Sequence, residues 1–296
     1  MKALISGATG FIGSHLTRQF ERPAVFSRNA DSAKRKLGDV EVHAWNYNEG
    51  PPPRAAFEDV EAVFHLAGES VGEGRWNARK KTAIRESRVD STRQLVDVIK
   101  DLDRKPAVLV CASAIGYYGS RGEDLLDETA PPGDGFLCDV SVEWEREASR
   151  AEEFGVRAIS VRIGVVLGDG GALEKMLPIF KLGLGGPLGN GRQWMSWIHV
   201  DDLVGLFVHA AKTESLHGPM NGVGPNPARN TEFTKSLGRA LHRPAFLPAP
   251  AFGLRLGLGE FADVLLGSQR VVPEVALRTG YKFKFPEIDR ALADVV

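Results

Sequence analysis

The chain has 296 residues, of which 43% are hydrophobic and 25% charged, and its formal net charge is −1. This composition is typical of a soluble globular protein, and the near-neutral charge gives no global field favouring nucleic acid or an anionic membrane. No stretch reaches the roughly eighteen apolar residues of a membrane span, and the apolar segment after Lys2 is too short for a signal peptide.

The cysteine and histidine content points to a reducing compartment and away from metal. Two cysteines, Cys111 and Cys138, indicate no disulfide framework. With only these and seven scattered histidines, no structural metal site is expected. The sequence therefore predicts a cytoplasmic monomer or homodimer that acts on a small molecule, without nucleic acid or membrane partners.

The first thirteen residues predict a phosphate-binding turn between a buried strand and a helix. Residues 1–6 are typical of a short strand, and a helical pattern then runs to about Phe20. Between them, Gly7 permits a tight turn, Gly10 lets the backbone approach a pyrophosphate, and Gly13 allows close helix packing. The helix N-terminus presents free N–H groups to the anion. The residues predicted to cradle a dinucleotide are Gly7, Thr9, Gly10, Phe11, Ile12 and Gly13.

The end of the second predicted strand, 24–27, indicates which dinucleotide binds. Ser27 and Arg28 stand there, and no carboxylate occurs until Asp31. A carboxylate at this position bonds the ribose 2′-hydroxyl of NAD, whereas an arginine accommodates the 2′-phosphate of NADP. A hydroxyl beside a guanidinium suits a phosphate dianion. The pattern predicts NADP(H); the alternative is that Arg28 is a solvated loop residue.

Three further strands and a long helix complete the predicted first half. A third strand is expected at 41–45 and a fourth at 62–66, ending in Ala67 and Gly68, whose small size would let the backbone lie against a cofactor. A plain tight turn is the alternative. Residues 79–100 form an amphipathic helix whose Arg88 is predicted to point into the cleft.

The middle of the chain contains the residues that are predicted to act on the substrate. A fifth strand at 107–111 leads to Ser113, Tyr117 and Tyr118, a helix is expected at 136–154, and a sixth strand at 157–162. Repeated alternation of strands and helices predicts an α/β protein with a doubly wound parallel sheet. Ligands bind such sheets at the carboxyl ends of the strands.

The second half is richer in glycine and predicts a smaller mixed C-terminal lobe for the substrate. A helix is expected from about Asp201, capped by Asp201 or Asp202, and another at 231–241, followed by a strand-like aromatic segment at 281–285. We place the nucleotide-binding domain at 1–168 and the lobe at 169–296, with a tail from about 246. Segment 194–223 could add strands to the sheet.

These landmarks resemble the extended short-chain dehydrogenase/reductase superfamily, specifically an atypical NAD(P)-dependent epimerase/dehydratase-like branch, labelled cell-division-inhibitor-like, with a C-terminal domain of unknown function. The motifs that carry the resemblance are Gly7-x-x-Gly10-x-x-Gly13, Leu66-Ala67-Gly68-Glu69, Arg75-Trp76, Ser87-Arg88, Gly116-Tyr117-Tyr118-Gly119, Arg162-x-Gly164-Val165-Val166-Leu167-Gly168, Gly183-Leu184-Gly185-Gly186-Pro187, Trp197-Ile198-His199 and Gly267-x-Gln269-Arg270-Val271. The resemblance implies a Rossmann fold. It also implies NADP(H) contacts from the glycine turn, Ser27, Arg28, Leu66, Ala67, Arg88 and Val165. It brings no settled substrate.

The sequence departs from this superfamily at its proton-transfer residues. The resemblance implies a Ser or Thr with a Tyr-x-x-x-Lys pair on the helix after strand five, in which lysine lowers the tyrosine pKa. None of the four tyrosines has lysine four positions later, and Leu137 and Ser141 occupy the expected places. The usual pair is therefore absent.

Three functional interpretations remain open. The first is an NADPH-dependent reductase in which Tyr117 or Tyr118 supplies a proton and Ser113 orients a carbonyl. The second is sugar-nucleotide epimerase or dehydratase chemistry, which the missing pair disfavours. The third is a regulatory protein that senses NADPH.

The substrate candidates are Glu69, Trp197 and His199. Glu69 is a carboxylate near the expected cleft and a candidate acid or anchor. The tryptophan-rich segment 192–197 could wall off a flat substrate, or pack between lobes. His199 could be a base, or a buried structural histidine.

Overall fold

The computed structural model describes all residues, 1–296. The strands are β1 Ala3–Ser6, β2 Ala24–Ser27, β3 Glu41–Ala44, β4 Ala62–His65, β5 Val108–Ala114, β6 Leu125–Leu126, β7 Arg157–Ile163, β8 Val165–Leu167, β9 Trp194–Met195, β10 Trp197–His199, β11 Gly218–Gly222, β12 Ala228–Arg229 and β13 Arg270–Val271. The α-helices are α1 Phe11–Thr17, α2 Ala30–Leu37, α3 Ala78–Lys100, α4 Phe136–Ser149, α5 Gly171–Lys181, α6 Val200–Lys212, α7 Asn230–Ala240, α8 Ala251–Leu258, α9 Phe261–Leu266, α10 Glu274–Arg278 and α11 Ile288–Val295. Three short 3-10 helices span Arg54–Phe57, Ile115–Tyr118 and Arg150–Phe154.

A seven-stranded sheet in the order β11-β7-β5-β4-β1-β2-β3 forms the centre of the molecule, and every neighbouring pair is parallel. The chain moves outward from β1 to β3, then returns to place β4 on the other side of β1. This reversal opens a crevice at the carboxyl ends of β1 and β4, the usual ligand position in such sheets. The predicted doubly wound α/β fold is confirmed.

The strands form where apolar residues run without alternation, because helices cover both faces of the sheet. Leu4, Ile5, Phe64, Leu109 and Ile159 are completely buried in the main core. A smaller core joins α5, α7 and α11. Its largest members are Leu173, Phe180, Trp197, Phe233, Leu237 and Leu292. Strand β11 comes from the second half of the chain, so the main sheet uses residues from both predicted domains.

Several element boundaries differ from the prediction. Helix α1 ends at Thr17 rather than near Phe20, and β5 continues to Ala114. Helix α2 was not predicted, although Asn29 caps it by accepting a hydrogen bond from the Ser32 N–H at 2.9 Å. None of the helices combines the length and apolar character needed to cross a membrane.

The predicted aromatic strand at 281–285 and the predicted cap of α6 are both wrong. The Asp202 carboxylate accepts the N–H groups of Lys284 and Phe285 at 2.8 and 2.9 Å, so this segment is held by a side chain instead of a sheet. Helix α6 begins at Val200, one residue before Asp201, so its cap is His199, whose Nδ1 accepts the Asp201 N–H at 3.1 Å.

Candidate functional site

The glycine turn places main-chain atoms closer together than any side chain would allow. Gly7 has a φ of +67°, and a Cβ there would lie 2.7 Å from the Leu66 carbonyl. A Cβ at Gly13 would lie 2.2 Å from the Gly7 oxygen. Gly10 caps α1 without a side chain, so the first N–H groups of the helix face the crevice for an anion.

A buried hydroxyl–imidazole chain fixes the end of β4 against this turn. The Ser6 hydroxyl accepts the N–H groups of Leu66 and Ala67 at 3.1 and 3.2 Å and lies 2.6 Å from His65 Nδ1. Ser91 lies 3.2 Å from Nε2 and donates its own proton to a carbonyl, so Nε2–H donates to Ser91 and Nδ1 accepts from Ser6. Burial lowers the pKa of His65 to about 3, so the imidazole is neutral.

Arg88 lies beside the loop that follows β4. Its Nη1 donates to the Glu69 carbonyl at 3.0 Å, and a Cβ at Gly68 would come within 3.2 Å of the guanidinium carbon. Burial lowers the pKa of Arg88 to about 10, against the opposing charge of Glu69, which leaves the group cationic. The Glu69 carboxylate forms an ion pair with Lys80 at 2.6 Å. Both side chains thus flank the crevice, and their ligand contacts remain predictions.

The end of β2 presents cations to the crevice. The Ser27 hydroxyl is engaged within its own turn, donating to the Asn29 carbonyl and accepting the Asn29 N–H. Arg28 is exposed and lines a cavity of about 200 Å³ with Trp45. Sequence reasoning missed Lys36 on α2, whose ammonium donates to the Thr9 carbonyl at 2.8 Å.

The second lobe joins the turn through Phe11 and β8. The Phe11 ring fills the space beside Gly168 and Gly170, where a Cβ would come within 2.7 and 2.9 Å of it. Ile12 packs against the main core. The Val165 N–H donates to the Ser196 carbonyl at 2.8 Å, and β8 pairs with β10. These contacts place Val165 between the sheet and the lobe.

Neither residue at the expected proton-transfer positions on α4 can replace the missing pair. Leu137 packs against Gly116, where a Cβ would lie 3.3 Å from Leu137 Cβ. The Ser141 hydroxyl donates to the Leu137 carbonyl at 2.8 Å within the helix and is buried. The structure therefore has no Tyr–Lys pair on this helix.

Ser113 does not face the cleft, which corrects its predicted role in orienting a carbonyl. Its hydroxyl is buried and donates to Glu145 Oε1 at 2.6 Å. Because successive side chains of a strand point to opposite faces, the neighbouring position, Ala114, points the other way and is partly exposed. An alanine offers no hydroxyl there.

A largely buried charged network lies behind the end of β5, and we call it the strand-end network. Its members are Ser113, Tyr118, Arg162 and Asn221, which are buried, and Glu145, which is partly buried. Arg162 makes two hydrogen bonds to the Glu145 carboxylate at 2.8 and 2.9 Å. Although burial opposes it, the Glu145 carboxylate raises the pKa of Arg162. Sequence reasoning missed both charges. An arginine between apolar residues of a buried strand was the available signal, because a buried charge requires a partner.

The two neighbouring tyrosines have opposite environments. Tyr118 is completely buried; its hydroxyl accepts from Arg162 at 2.9 Å and donates to Asn221 at 2.8 Å. Burial raises its pKa to about 12, although Arg162 lowers it. This placement removes Tyr118 as a proton donor. Tyr117 is partly exposed, the Arg162 guanidinium lies 3.4 Å from its ring centroid, and its hydroxyl forms no hydrogen bond within the chain.

Trp197 and His199 are structural residues, which corrects their predicted substrate roles. Trp197 is 1% exposed in the smaller core, and its indole N–H donates to the Asn226 carbonyl at 2.9 Å. His199 is buried, stacks on Phe285 at a centroid distance of 3.9 Å and lies 3.2 Å from Asp294. Neither ring faces the crevice.

Comparison with known proteins gives two family matches. The model of the NAD dependent epimerase/dehydratase family matches residues 3–221, and a Domain of unknown function (DUF1731) matches residues 249–295. The Bacillus subtilis (strain 168) epimerase family protein YfhF is 36% identical over all of this chain and 98% of its own length. The Arabidopsis thaliana epimerase family protein SDR39U1 homolog, chloroplastic, is 39% identical, covering 100% of this chain and 87% of its own.

Solved structures share the whole architecture. The human epimerase family protein SDR39U1 (isoform 2), crystallised with NADPH, superposes with a TM-score of 0.89 at 34% identity, covering 100% of this chain and 99% of that one. A nucleoside-diphosphate sugar epimerase from Corynebacterium glutamicum gives a TM-score of 0.73 at 29% identity, covering 99% of this chain and 57% of that one.

Proposed function

This chain belongs to the NAD dependent epimerase/dehydratase family, and we propose that it is a cytoplasmic oxidoreductase that binds NADPH and acts on a small-molecule carbonyl or hydroxyl. The observation that carries the cofactor proposal is the side-chain-free approach of Gly7 to Leu66 and of Gly13 to Gly7. That geometry leaves the start of α1 open to a pyrophosphate. The similar human protein was solved with NADPH.

The preference for NADPH over NADH rests on charge at the end of β2. Arg28 is exposed at that end, and Lys36 is held 2.8 Å from the Thr9 carbonyl of the glycine turn. No carboxylate occupies the position just after β2 that would bond a ribose hydroxyl. The two cations, without an acid at the position just after β2, favour a 2′-phosphate; the acid that lines the Arg28 cavity, Glu49, comes from the segment after β3.

Tyr117 is the proposed proton donor. When bound, NADPH would supply hydride; the chain must supply a proton to the carbonyl oxygen. Tyr117 follows β5 directly, and its hydroxyl is free of protein partners, whereas the hydroxyls of Ser113 and Tyr118 are both bonded inside the strand-end network. Arg162, held against Glu145, fixes the Tyr117 ring by stacking at 3.4 Å from its centroid.

A second candidate is a non-catalytic NADPH sensor, and the composition of the expected catalytic positions favours it. Leu137 and Ser141 stand where the tyrosine and lysine would be, and Ala114, which points to the opposite face of β5 from Ser113, has no hydroxyl. A protein selected only for binding would keep the glycine turn and lose these groups. Their loss also disfavours epimerase or dehydratase chemistry, which needs an efficient base.

The adjacent tyrosines provide a matched test. Purified protein with NADPH is mixed with a carbonyl library, and the absorbance of the reduced nicotinamide is followed. The reductase predicts that Tyr117→Phe lowers kcat by roughly 100-fold or more, whereas Tyr118→Phe retains activity and loses stability. Tight NADPH binding without turnover of any compound would favour the sensor. Equal losses in both variants would refute Tyr117 as the donor.

A further inference from the structure

The C-terminal lobe exposes a concentration of large apolar side chains. Phe252 and Leu256 on α8 are 76% and 77% exposed, and Leu182, just after α5, is 74% exposed. We call this surface the apolar-basic face. Its exposed apolar residues are Ile179, Leu182, Leu184, Phe246, Leu247, Phe252 and Leu256. Isolated exposed apolar residues are ordinary, but a contiguous set marks an interaction surface.

Main-chain hydrogen bonds place the two segments that form this face side by side. The Leu247 N–H donates to the Gly185 carbonyl at 3.2 Å, and the Gly189 N–H donates to the Ala249 carbonyl at 2.8 Å. Residues 182–189 therefore run along residues 244–251. The end of α5 leads into one of these segments and α8 follows the other, so their exposed side chains lie on neighbouring parts of the lobe.

The same two segments lack negative charge. Although the chain has 38 acidic residues, neither 175–200 nor 233–259 contains an Asp or Glu. Arg255 and Arg239 are paired with Asp263 and Asp289 from other segments, but Lys181 has no ion-pair partner. Arg243, also outside any ion pair, donates to the Lys181 carbonyl at 3.0 Å. The face therefore combines apolar side chains with uncompensated positive charge.

Helix α8 is poorly supported by the rest of the fold. None of its residues is buried, and it contains Gly253 and Gly257, which weaken a helix. A helix of eight residues gains little stability by itself, because helices are normally stabilised by packing an apolar face. Burial of Phe252 and Leu256 in apolar surroundings outside this chain would stabilise α8.

We propose that the apolar-basic face docks on an anionic lipid surface. Interfacial segments bury apolar side chains in the headgroup boundary, while nearby lysines and arginines attract anionic lipids. A second copy of this chain fits less well. In a twofold-symmetric contact built from these two segments, Lys181 and Arg243 would meet a surface with no carboxylate in either segment to pair with them. The whole-chain charge of −1, which predicted no membrane partner, conceals this local pattern.

The test is sedimentation of the full chain with vesicles, with and without NADPH. We expect binding to vesicles of phosphatidylcholine with phosphatidylglycerol, little binding to phosphatidylcholine alone, and weakening by salt. Phe252→Glu should weaken partitioning at least about tenfold, because it removes an aromatic ring from the boundary. Lys181→Glu should weaken it on anionic vesicles about thirtyfold, because the change of two charges is worth roughly 1 kcal/mol per charge.

The control is Leu277→Glu, an equally apolar-to-acidic change at an exposed position on α10, which packs against β11. This variant should bind vesicles like the unmodified chain. The proposal is overturned if the chain stays in solution with both vesicle types, or if Phe252→Glu binds as well as Leu277→Glu. A dimer that Phe252→Glu dissociates, with no vesicle binding, would assign the face to a second copy instead.

Discussion

The glycine turn lies at the carboxyl end of β1 and the strand-end network at the carboxyl ends of β5, β7 and β11 in the same parallel sheet, but the two are held together by different means. The turn is built from main chain, and a Cβ at Gly7 or Gly13 would overlap its atoms. The network is built from buried and partly buried side chains, of which Arg162 and Glu145 form an ion pair at 2.8 Å. The glycine turn therefore depends on the absence of side chains, whereas the strand-end network depends on the identity of each of its side chains.

The largest effect should come from breaking the charged pair. Arg162→Met leaves the Glu145 carboxylate in a poorly hydrated site, and removing one member of a buried pair costs about 3–5 kcal/mol. We expect a loss of that size in the free energy of unfolding, measured by urea denaturation. A double variant, Arg162→Met with Glu145→Leu, should recover much of the loss, because no unpaired charge remains. If the single and double variants were equally stable, the unpaired Glu145 carboxylate would not be the cause of the lost stability in Arg162→Met.

The glycine turn gives the second largest effect and has a matched control. Gly7→Ala combines left-handed backbone with contact at 2.7 Å to Leu66, so it should cost about 3 kcal/mol and abolish the rise in Tm with NADPH. Gly155→Ala shares the positive φ, +81°, in left-handed backbone, but meets nothing within 4 Å. It should cost only about 1 kcal/mol and leave cofactor binding intact. Similar losses would mean that backbone conformation, not close approach, explains Gly7.

The neutral histidine beneath the turn predicts an acid effect. The folded pKa of His65 is about 3, below the ordinary value of about 6.5. The unfolded chain thus binds more protons between these values, and stability falls as pH decreases through that window. Between pH 6.5 and pH 4.5 the protonation of His65 in the unfolded chain lowers the free energy of unfolding by about 2–3 kcal/mol. The free energy of unfolding of His65→Gln, measured by urea titration at each pH, should fall by this much less on acidification than that of the unmodified chain. Both proteins have the same carboxylates, so the effect of the carboxylates cancels in the comparison. Parallel pH profiles would contradict a neutral His65.

The same contrast explains how much the sequence could reveal. A main-chain requirement leaves glycines at fixed spacing, so the turn, the parallel sheet and the crevice were predictable. The sequence pattern does not reveal the direction in which a side chain points. Ser113 and Ala114 are adjacent, and only the placement of β5 in the fold decides which of them faces Glu145. Tyr117 and Tyr118 are likewise adjacent and differ only in burial. Trp197 and His199 matched family motifs, but tertiary packing makes them core residues.

The smallest effect concerns Arg28 and Lys36, the cations beside the glycine turn. Like the strand-end network they act through side chains, but they serve a site that is built from main chain. Arg28→Ala should weaken NADPH binding about tenfold, the magnitude of one charge-assisted hydrogen bond, and should leave NADH binding nearly unchanged. The measurement is calorimetric titration with both cofactors. Arg104 is an exposed arginine just before β5, at the amino ends of the strands and so away from the crevice; Arg104→Ala should change the affinity for neither cofactor.

Lys36 decides how the Arg28 result is interpreted. It sits on α2 and is anchored to the Thr9 carbonyl at 2.8 Å, so it would remain near a 2′-phosphate when Arg28 is removed. If both cations contribute, Lys36→Ala alone should reduce the NADPH preference, and the double variant should bind NADPH and NADH equally. If Arg28→Ala and Lys36→Ala both retain the full preference, the phosphate is recognised elsewhere. In that case the charge at the end of β2 is a property of the surface and not of the cofactor site.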